Sequence, residues 1–483
     1  MAAAHILRKL ASQTAVYGVS AILSKFLNYL LTPYLTRILT EQVYGQVNLL
    51  YGIIPFANVV LTMGLATGYF RYAAKCQTLG EKRRLFTTTW GTVALMATLF
   101  GVIMALCNGE LAEVMRLDPV CIAAMTALIV VDNVAAIPLA ALREEGKAVY
   151  YTVVNVTGVG VNVAACVWFY SRVPGAVESP LWVVAANLIA STVSLLLLLP
   201  HSLRLLSTAF STRLLRSIFT YSIPLMMAGI MGVAGDFIDR QLIYFMLPVE
   251  IADAELGVYT AVAKIAALLM IFRQIYTLGA EPFFLQGFSK EDFRTANAEA
   301  TKYFTIAGIA IFLVLSLFAR EFAYIVGSDF RSGMGILPLL LLANLLAGIL
   351  VNLSFWYKAA DKTRVAIYIT GSGVAITLVL NLLLIPSMGY HGAAVARVVS
   401  MLAMVAASYF LCRKYFPVPF DLRRIGFYFL FGGAIFALSY ATALLPGWGR
   451  VTLDFLLLLI YLLVAFRLEF GGRKIGTLWK KSR

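Results

Sequence analysis

Residues 117–142 read LDPVCIAAMTALIVVDNVAAIPLAAL, an apolar run with one carboxylate, Asp132, near its middle. A helix needs about 20 predominantly apolar residues to cross the hydrocarbon core of a bilayer. Runs of this kind recur throughout the 483 residues, of which 61% are hydrophobic and 13% charged. Soluble chains carry roughly 25% charged residues. The sequence therefore predicts an all-α polytopic membrane protein, since the strands of a membrane barrel would alternate in polarity over about ten residues.

The apolar runs predict about fourteen transmembrane helices. We place them at about 12–36, 43–70, 85–108, 117–142, 149–171, 180–200, 215–247, 252–279, 299–320, 332–357, 364–386, 391–412, 423–445 and 451–467. With the N-terminus inside, 28 of the 39 Lys and Arg residues fall in inside segments and six in outside loops. This positive-inside bias predicts that both ends of the chain are cytoplasmic.

The first apolar stretch superficially resembles a secretory signal peptide, because Arg8 and Lys9 precede it. Lys25 and Asn28 interrupt the stretch, no clear small-residue cleavage site follows, and the run continues past Pro33. We therefore interpret it as a retained first helix.

A faint internal repeat suggests how the helices are grouped. Glu41-Gln-Val-Tyr-Gly45 opens the second predicted helix, and Glu255-Leu-Gly257-Val-Tyr259 opens the eighth. Repeated halves are common in secondary transporters. The repeat, together with the inside connection at about 201–214, predicts an N-terminal six-helix lobe at 1–206, a C-terminal six-helix lobe at 207–418, and two additional helices with a basic tail at 419–483.

Several chemistries lack their sequence signatures. The five cysteines form no CxxC pair and the three histidines no cluster, so we expect no metal site. Cys107 and Cys121 flank one outside loop, where a disulfide and two free thiols both stay open. No GxxxxGK[ST] or HExxH motif occurs, and we expect no cofactor and no enzyme activity. The net charge of +15 is spread between the apolar runs, which argues against nucleic-acid binding.

Charged side chains at membrane depth are the main functional candidates, because each costs about 2.5–3.5 kcal/mol at a helix centre. Lys25 lies near the middle of the first helix, with Asn28 on the same face. Either helix end is roughly 18 Å away, too far for the side chain to reach the interface. We expect Lys25 to face an internal cavity; the alternative is a buried pair with a carboxylate.

The seventh predicted helix carries Asp236, Asp239 and Arg240. Asp236 and Arg240 are spaced i,i+4, so they can form a structural ion pair. In the functional alternative, Arg240 contributes to an anion site and one aspartate titrates.

The other charges at membrane depth are Lys264 in the eighth helix, Arg397 in the twelfth and Asp132 in the fourth. Cations at this depth favour an anionic head group such as phosphate or pyrophosphate. The predicted head-group site comprises Lys25, Asn28, Arg240, Lys264 and Arg397. The predicted candidates for ion or proton coupling are Asp132, Asp236 and Asp239.

Short motifs along the whole chain resemble a known family. They are Ser24-Lys25-Phe26 with Pro33, Tyr69-Phe70-Arg71-Tyr72, Leu142-Arg143-Glu144, Tyr221-Ser-Ile-Pro224 and Glu281-Pro282-Phe283-Phe284. In this order they resemble the bacterial polysaccharide exporter family of Wzx-type O-antigen flippases, part of the multidrug/oligosaccharidyl-lipid/polysaccharide exporter superfamily.

The resemblance implies two six-helix lobes in a MATE-like V, a cationic central cavity and alternating access. It implies that an undecaprenyl-pyrophosphate-linked oligosaccharide is flipped across the bacterial cytoplasmic membrane, with a polymerase and other glycan-assembly proteins as partners. Lys25 and Arg240 match charged positions of the family. Two rival functions stay open: a cation-coupled multidrug exporter of the same superfamily, and a membrane-embedded glycan transferase.

Overall fold

The fold is helical throughout the part of the chain that a computed structural model describes, residues 31–285, 290–360, 362, 364–442 and 447–470. Within these ranges thirteen helices are long and apolar enough to cross a membrane. The protein is therefore a multi-pass α-helical membrane protein, as predicted. Of the first predicted helix, residues 31–38 are described and are helical. Lys25 and Asn28 lie outside the described residues.

The long helices are separated by short connections. Those that begin in the first half are α1 (Glu41–Thr62), α2 (Leu65–Ala73), α3 (Leu79–Leu106), α4 (Asn108–Met115), α5 (Pro119–Glu144), α6 (Ala148–Arg172), α7 (Leu181–Leu205) and α8 (Thr212–Met246). The remainder are α9 (Val249–Leu285), α10 (Lys290–Leu317), α11 (Ala319–Phe322), α12 (Leu337–Ala359), α13 (Arg364–Met388), α14 (Tyr390–Tyr415), α15 (Leu422–Thr442) and α16 (Gly447–Phe470). Short 3-10 turns occupy Ala176–Glu178, Ala323–Ile325 and Asp329–Ile336.

The described residues pack as two compact units. The first contains the chain up to Thr260 together with Asn381–Tyr390, and the second contains Ala261–Leu380 and the chain from His391 onward. The predicted lobe boundaries at 206 and 418 rest on the sequence repeat and stay predictions.

In the first unit, α3, α5 and α7 pack against one another, and α6 packs against α7. The core at one end is formed by Leu65, Tyr69, Phe86, Ile137 and Ile218, all buried. These side chains come from α2, α3, α5 and α8. The short helix α2 is thereby packed against the long helices α3, α5 and α8.

The second predicted helix, 43–70, is in fact two helices, α1 and α2. Met63 and Gly64 both adopt positive φ, 49° and 67°. A Cβ at residue 64 would lie 2.7 Å from the carbonyl oxygen of Ser222 on α8. The break therefore depends on a tertiary contact, which hydropathy does not report.

The third membrane helix begins at Leu79, six residues before the predicted start at 85. A capping box explains the earlier start: the Thr78 hydroxyl accepts a hydrogen bond from the Glu81 N–H (3.2 Å), and the Glu81 carboxylate accepts one from the Thr78 N–H (3.3 Å). Polar residues thus extend the helix beyond its apolar run.

The two segments of the predicted repeat contact each other directly. A Cβ on Gly45 would overlap the carbonyl oxygen of Asp253, and a Cβ on Gly257 would overlap the carbonyl oxygen of Glu41. The Gln46 amide donates to the Asp253 carboxylate at 2.9 Å. The N-terminal parts of α1 and α9 therefore cross backbone to backbone, an approach that small residues permit between membrane helices.

In the second unit, a buried ion-pair network ties the two C-terminal helices to α10. The Glu469 carboxylate of α16 lies 3.0 Å from the Lys302 ammonium and 2.8 Å from the Arg424 guanidinium. The Tyr428 hydroxyl donates to the same carboxylate at 3.1 Å. Lys302 and Glu469 are buried, so each charge depends on the other for its electrostatic compensation.

The contact of Gly45 with α9 predicts that a methyl group added there lowers stability, whereas one added at a glycine with free space does not. Gly45→Ala should lower the stability of the protein in detergent by about 1–3 kcal/mol, because the new Cβ must push α1 away from α9. Thermal unfolding of the purified protein measures this change. Gly91→Ala is the matched control, since a Cβ there meets no atom within 4 Å. Equal unfolding temperatures for the two variants would show that the crossing is not tight.

Candidate functional site

A polar pocket lies within the first unit, between α1, α5, α6 and α7. Its volume is about 350 Å³. The polar residues that line it are Asn58, Asp132, Asn155, Asn162, Asn187, Ser191 and Ser194. All four helices are candidate membrane spans. We name this cavity the Asp132 pocket.

The lining side chains occur at helical spacing. On α6, Asn155, Gly158 and Asn162 share one face, and on α7 so do Asn187, Ser191 and Ser194. Each set forms a polar stripe on an otherwise apolar helix. Neither stripe was predicted from the sequence, although its helical spacing is visible there. Only the packing of α6 on α7 brings the two stripes together.

Asp132 lies near the middle of α5 and is half-buried. The Ser191 side chain faces its carboxylate from α7. Beside it, the Asn133 amide donates to the Asn58 side-chain oxygen at 2.8 Å and so joins α5 to α1. Among the residues that line the pocket there is no Lys or Arg.

Gly158 allows α6 and α7 to approach each other at the edge of the pocket. A Cβ at this position would lie 2.5 Å from the Ser194 hydroxyl oxygen. The Ser194 hydroxyl donates to the Ala190 carbonyl at 3.0 Å and is thereby held in place. The pocket is therefore narrow on this side.

The lining of the Asp132 pocket offers oxygen donors that a small cation could use. Carboxylate, amide and hydroxyl oxygens are the donors that hard cations prefer, and a carboxylate can also take a proton. The described residues hold no group of three or more His, Cys, Asp or Glu side chains that could bind a metal ion. The oxygen-rich lining with a single formal charge suits a proton or one monovalent cation.

The charged turn predicted in the seventh helix lies on α8, in the same unit. Asp239 is buried and accepts hydrogen bonds from the Tyr259 hydroxyl and from the Arg240 N–H, the latter at 2.9 Å. Asp236 is exposed.

The Arg240 guanidinium packs over the Phe237 ring, 4.7 Å from its centroid. Within the described ranges its Nε is buried without a hydrogen-bond acceptor. The side chain thus places a positive charge at membrane depth with hydrogen-bonding capacity left over. The structural pair of Asp236 with Arg240 and the functional alternative both stay predictions.

Lys264 on α9 and Arg397 on α14 lie in the second unit, and both are half-buried. The other described candidates occupy two places in the first unit. Asp132 lines its pocket, whereas Asp236, Asp239 and Arg240 lie close together on α8. Lys25 and Asn28 fall outside the described residues. Cys107 and Cys121 are free thiols.

The fold resembles two groups of solved membrane transporters. It matches the lipid II flippase MurJ in an inward closed conformation with a TM-score of 0.73 and 13% identity, covering 94% of this chain and 99% of that one. An inward-facing multidrug resistance MATE family transporter of the MOP superfamily matches with a TM-score of 0.61 and 16% identity, covering 83% and 94%. The class defined by fold and site is a multi-pass membrane protein of MurJ-like and MATE-like architecture.

Residues 10–288, more than half of the chain, match the polysaccharide biosynthesis protein family, and the protein belongs to that family. The probable low-salt glycan biosynthesis flippase Agl15 of Haloferax volcanii is 25% identical over 215 residues. That match covers 44% of this chain, and the chain spans 45% of the length of the relative.

The narrow edge of the Asp132 pocket predicts a size limit at Gly158. Gly158→Leu should destabilise the protein by about 1–3 kcal/mol, because the side chain must displace Ser194 or fill the cavity. Thermal unfolding in detergent tests this prediction. Gly160→Leu, on the same helix, is the control because a Cβ there meets nothing within 4 Å. A Gly158→Leu protein as stable as the control would contradict the described packing of α6 on α7.

Proposed function

We propose that this protein is a flippase that moves an undecaprenyl-pyrophosphate-linked oligosaccharide across the cytoplasmic membrane of a bacterium by alternating access, for polysaccharide or O-antigen biosynthesis. Family membership supports a role in polysaccharide biosynthesis. The name of the Haloferax relative supports glycan flipping. The fold is one that a lipid flippase and drug transporters share.

The observation that carries the proposal is the state of Arg240. Its guanidinium lies on a candidate membrane helix, packs over Phe237, and keeps a buried Nε without an acceptor among the described residues. A buried donor left unpaired is costly, so a ligand that accepts from it gains most of that cost back. Arg pairs with phosphate through two parallel hydrogen bonds, which suits a pyrophosphate.

The remaining predicted head-group residues, Lys25, Asn28, Lys264 and Arg397, extend this proposal. Lys264 and Arg397 are half-buried cations of the second unit. We propose that these side chains, like Arg240, bind the anionic head group during alternating access. The lipid tail then stays in the bilayer while the head group moves.

The proposed orientation places both chain ends in the cytoplasm, as the Lys and Arg distribution predicts. The proposed partners are the bilayer, the lipid-linked oligosaccharide, and the polymerase and other glycan-assembly proteins that consume the flipped product. We propose no enzyme activity, since flipping changes the position of its cargo and no covalent bond.

We propose that the Asp132 pocket couples transport to an ion gradient. An aspartate at membrane depth is costly when charged and gains stability by taking up a proton or a cation. The lining asparagine and serine oxygens favour the bound cation. Asp236 and Asp239 are the alternative coupling residues, and the buried Asp239 already accepts two hydrogen bonds.

A multidrug exporter is the second candidate, because the fold and the acidic Asp132 pocket both suit a cation-coupled drug transporter. A cationic drug would need carboxylates along its path. Arg240, Lys264 and Arg397 oppose that requirement. Drug susceptibility of a deletion strain separates the two candidates, since loss of surface glycan with unchanged drug tolerance favours the flippase.

Arg240→Gln should reduce flipping of lipid-linked oligosaccharide in proteoliposomes about tenfold or more, because a charge-assisted hydrogen bond contributes about 1.5–3 kcal/mol. Arg240→Lys should retain part of the activity, since the charge stays but the paired hydrogen bonds are lost. Arg216→Gln, an exposed change on the same helix, is the control. Normal flipping by Arg240→Gln at equal protein levels would refute the head-group role.

Asp132→Asn should abolish the dependence of flipping on an imposed proton or sodium gradient, because the amide keeps the shape of the side chain but cannot ionise. Flipping is measured in proteoliposomes with and without each gradient. Asp118→Asn is the control: Asp118 caps the same helix through the Val120 N–H (2.7 Å), and Asn caps equally well. Unchanged gradient dependence in Asp132→Asn would assign coupling to another residue.

A further inference from the structure

A second cavity of about 550 Å³ opens at the end of the first unit where α2 ends and α3 and α8 begin. The residues that define it are Tyr72, Lys75, Glu81, Arg84, Arg213 and Ser217. We name it the basic pocket. It shares no lining residue with the Asp132 pocket.

The charge of the basic pocket is positive. Lys75, Arg84 and Arg213 are exposed cations on its lining. Glu81 is the lining carboxylate, and it is already engaged, because it accepts from the N–H groups of Gln77 (2.8 Å) and Thr78 (3.3 Å). Three cations and one carboxylate leave the lining with a positive formal net charge.

The N-terminus of α8 adds to this positive field, whereas that of α3 already binds the Glu81 carboxylate. α3 begins at Leu79, and α8 begins at Thr212 after its N-cap Ser211, which also lines the cavity. Each helix N-terminus carries the equivalent of roughly half a positive charge, which favours anions. Phosphate groups bind at such termini in many proteins.

The cavity is held in shape by contacts that need no ligand. The Tyr72 hydroxyl donates to the Ser217 carbonyl at 2.8 Å and joins α2 to α8. The Lys75 ammonium lies 5.2 Å from the centre of the Tyr72 ring. The N–H of Ser211 donates to the Thr88 hydroxyl at 3.1 Å and fixes the start of α8 on α3. The helix ends that carry the cations are thus held together by hydrogen bonds.

The basic pocket lies at the N-terminal ends of two candidate membrane spans, where we expect lipid head groups. The candidate membrane spans Leu79–Leu106 and Thr212–Met246 both begin at its lining. Leu85 and Leu214 also line it and give it an apolar side. Basic pockets between membrane helices at this level bind the phosphates of anionic lipids.

We propose that the basic pocket binds the phosphate group of an anionic membrane lipid. The three cations bind the phosphate, and the half-buried Leu214 contacts the first carbons of the lipid. A free phosphate from solution shares the chemistry of the head group but makes no use of the apolar side. This site is separate from the cargo site around Arg240 and does not depend on transport.

The test measures lipid binding to the purified full-length protein by native mass spectrometry, with phosphatidylglycerol and phosphatidylcholine offered in mixed micelles. Wild type should retain phosphatidylglycerol preferentially. The double variant Arg84→Gln/Arg213→Gln should lose about tenfold or more of that binding, because each cation near a membrane surface contributes about 1 kcal/mol toward an anionic lipid. Arg84→Lys/Arg213→Lys should keep most of it, which separates charge from folding.

The matched control is Arg83→Gln/Arg216→Gln, which removes two exposed arginines from the same helices without touching the pocket lining. Equal phosphatidylglycerol binding by wild type, control and Arg84→Gln/Arg213→Gln would overturn the proposal. A competition arm adds soluble inorganic pyrophosphate. Displacement of the lipid at micromolar pyrophosphate would show that the pocket binds soluble phosphates and would overturn the proposal. Retention of the lipid supports it.

Discussion

The structure depends on one constraint: in hydrocarbon, every polar group must find a partner inside the protein. Helices satisfy the backbone, which is why the described chain is helical. Side chains follow the same rule. The Trp90 indole donates to the Val134 carbonyl at 2.9 Å, and the Tyr461 hydroxyl donates to the Ile306 carbonyl at 3.0 Å. Against this background, a buried polar group without a partner is informative, and the Arg240 Nε is such a group among the described residues.

The same constraint explains why the glycines at the α1–α9 crossing matter. Where two backbones meet without side chains between them, van der Waals contact replaces the hydrophobic effect as the source of helix association. Gly45 and Gly257 provide such a contact at the start of both helices. Because each lies in one copy of a repeated sequence segment, the crossing relates the two segments in space as well as in sequence.

The thirteen candidate membrane spans of the described residues were predictable, because the cost of transferring a segment into lipid is local to that segment. The break at Met63–Gly64 was not, since it needs the neighbouring carbonyl of Ser222. The Asp132 pocket as a whole was not predictable from the sequence either. Asn155 and Asn162 are visible as a stripe on α6, but the sequence does not state that Ser191 on α7 faces the carboxylate on α5. Which helix faces meet in the folded protein is decided by packing, and the hydropathy of the sequence does not report it.

Helix α1 contacts the Asp132 pocket and the turn that carries Arg240, and this bears on the proposed coupling. On one side Asn58 lines the Asp132 pocket and accepts from Asn133. On the other, the Leu49 carbonyl accepts from Gln241, the residue after Arg240, at 3.4 Å. Pro55 lies between these two contacts and removes one backbone hydrogen bond, which lets a helix bend. A change in the bend of α1 at Pro55 would therefore move the contacts of Asn133 and Gln241, the residues that follow Asp132 and Arg240, relative to each other.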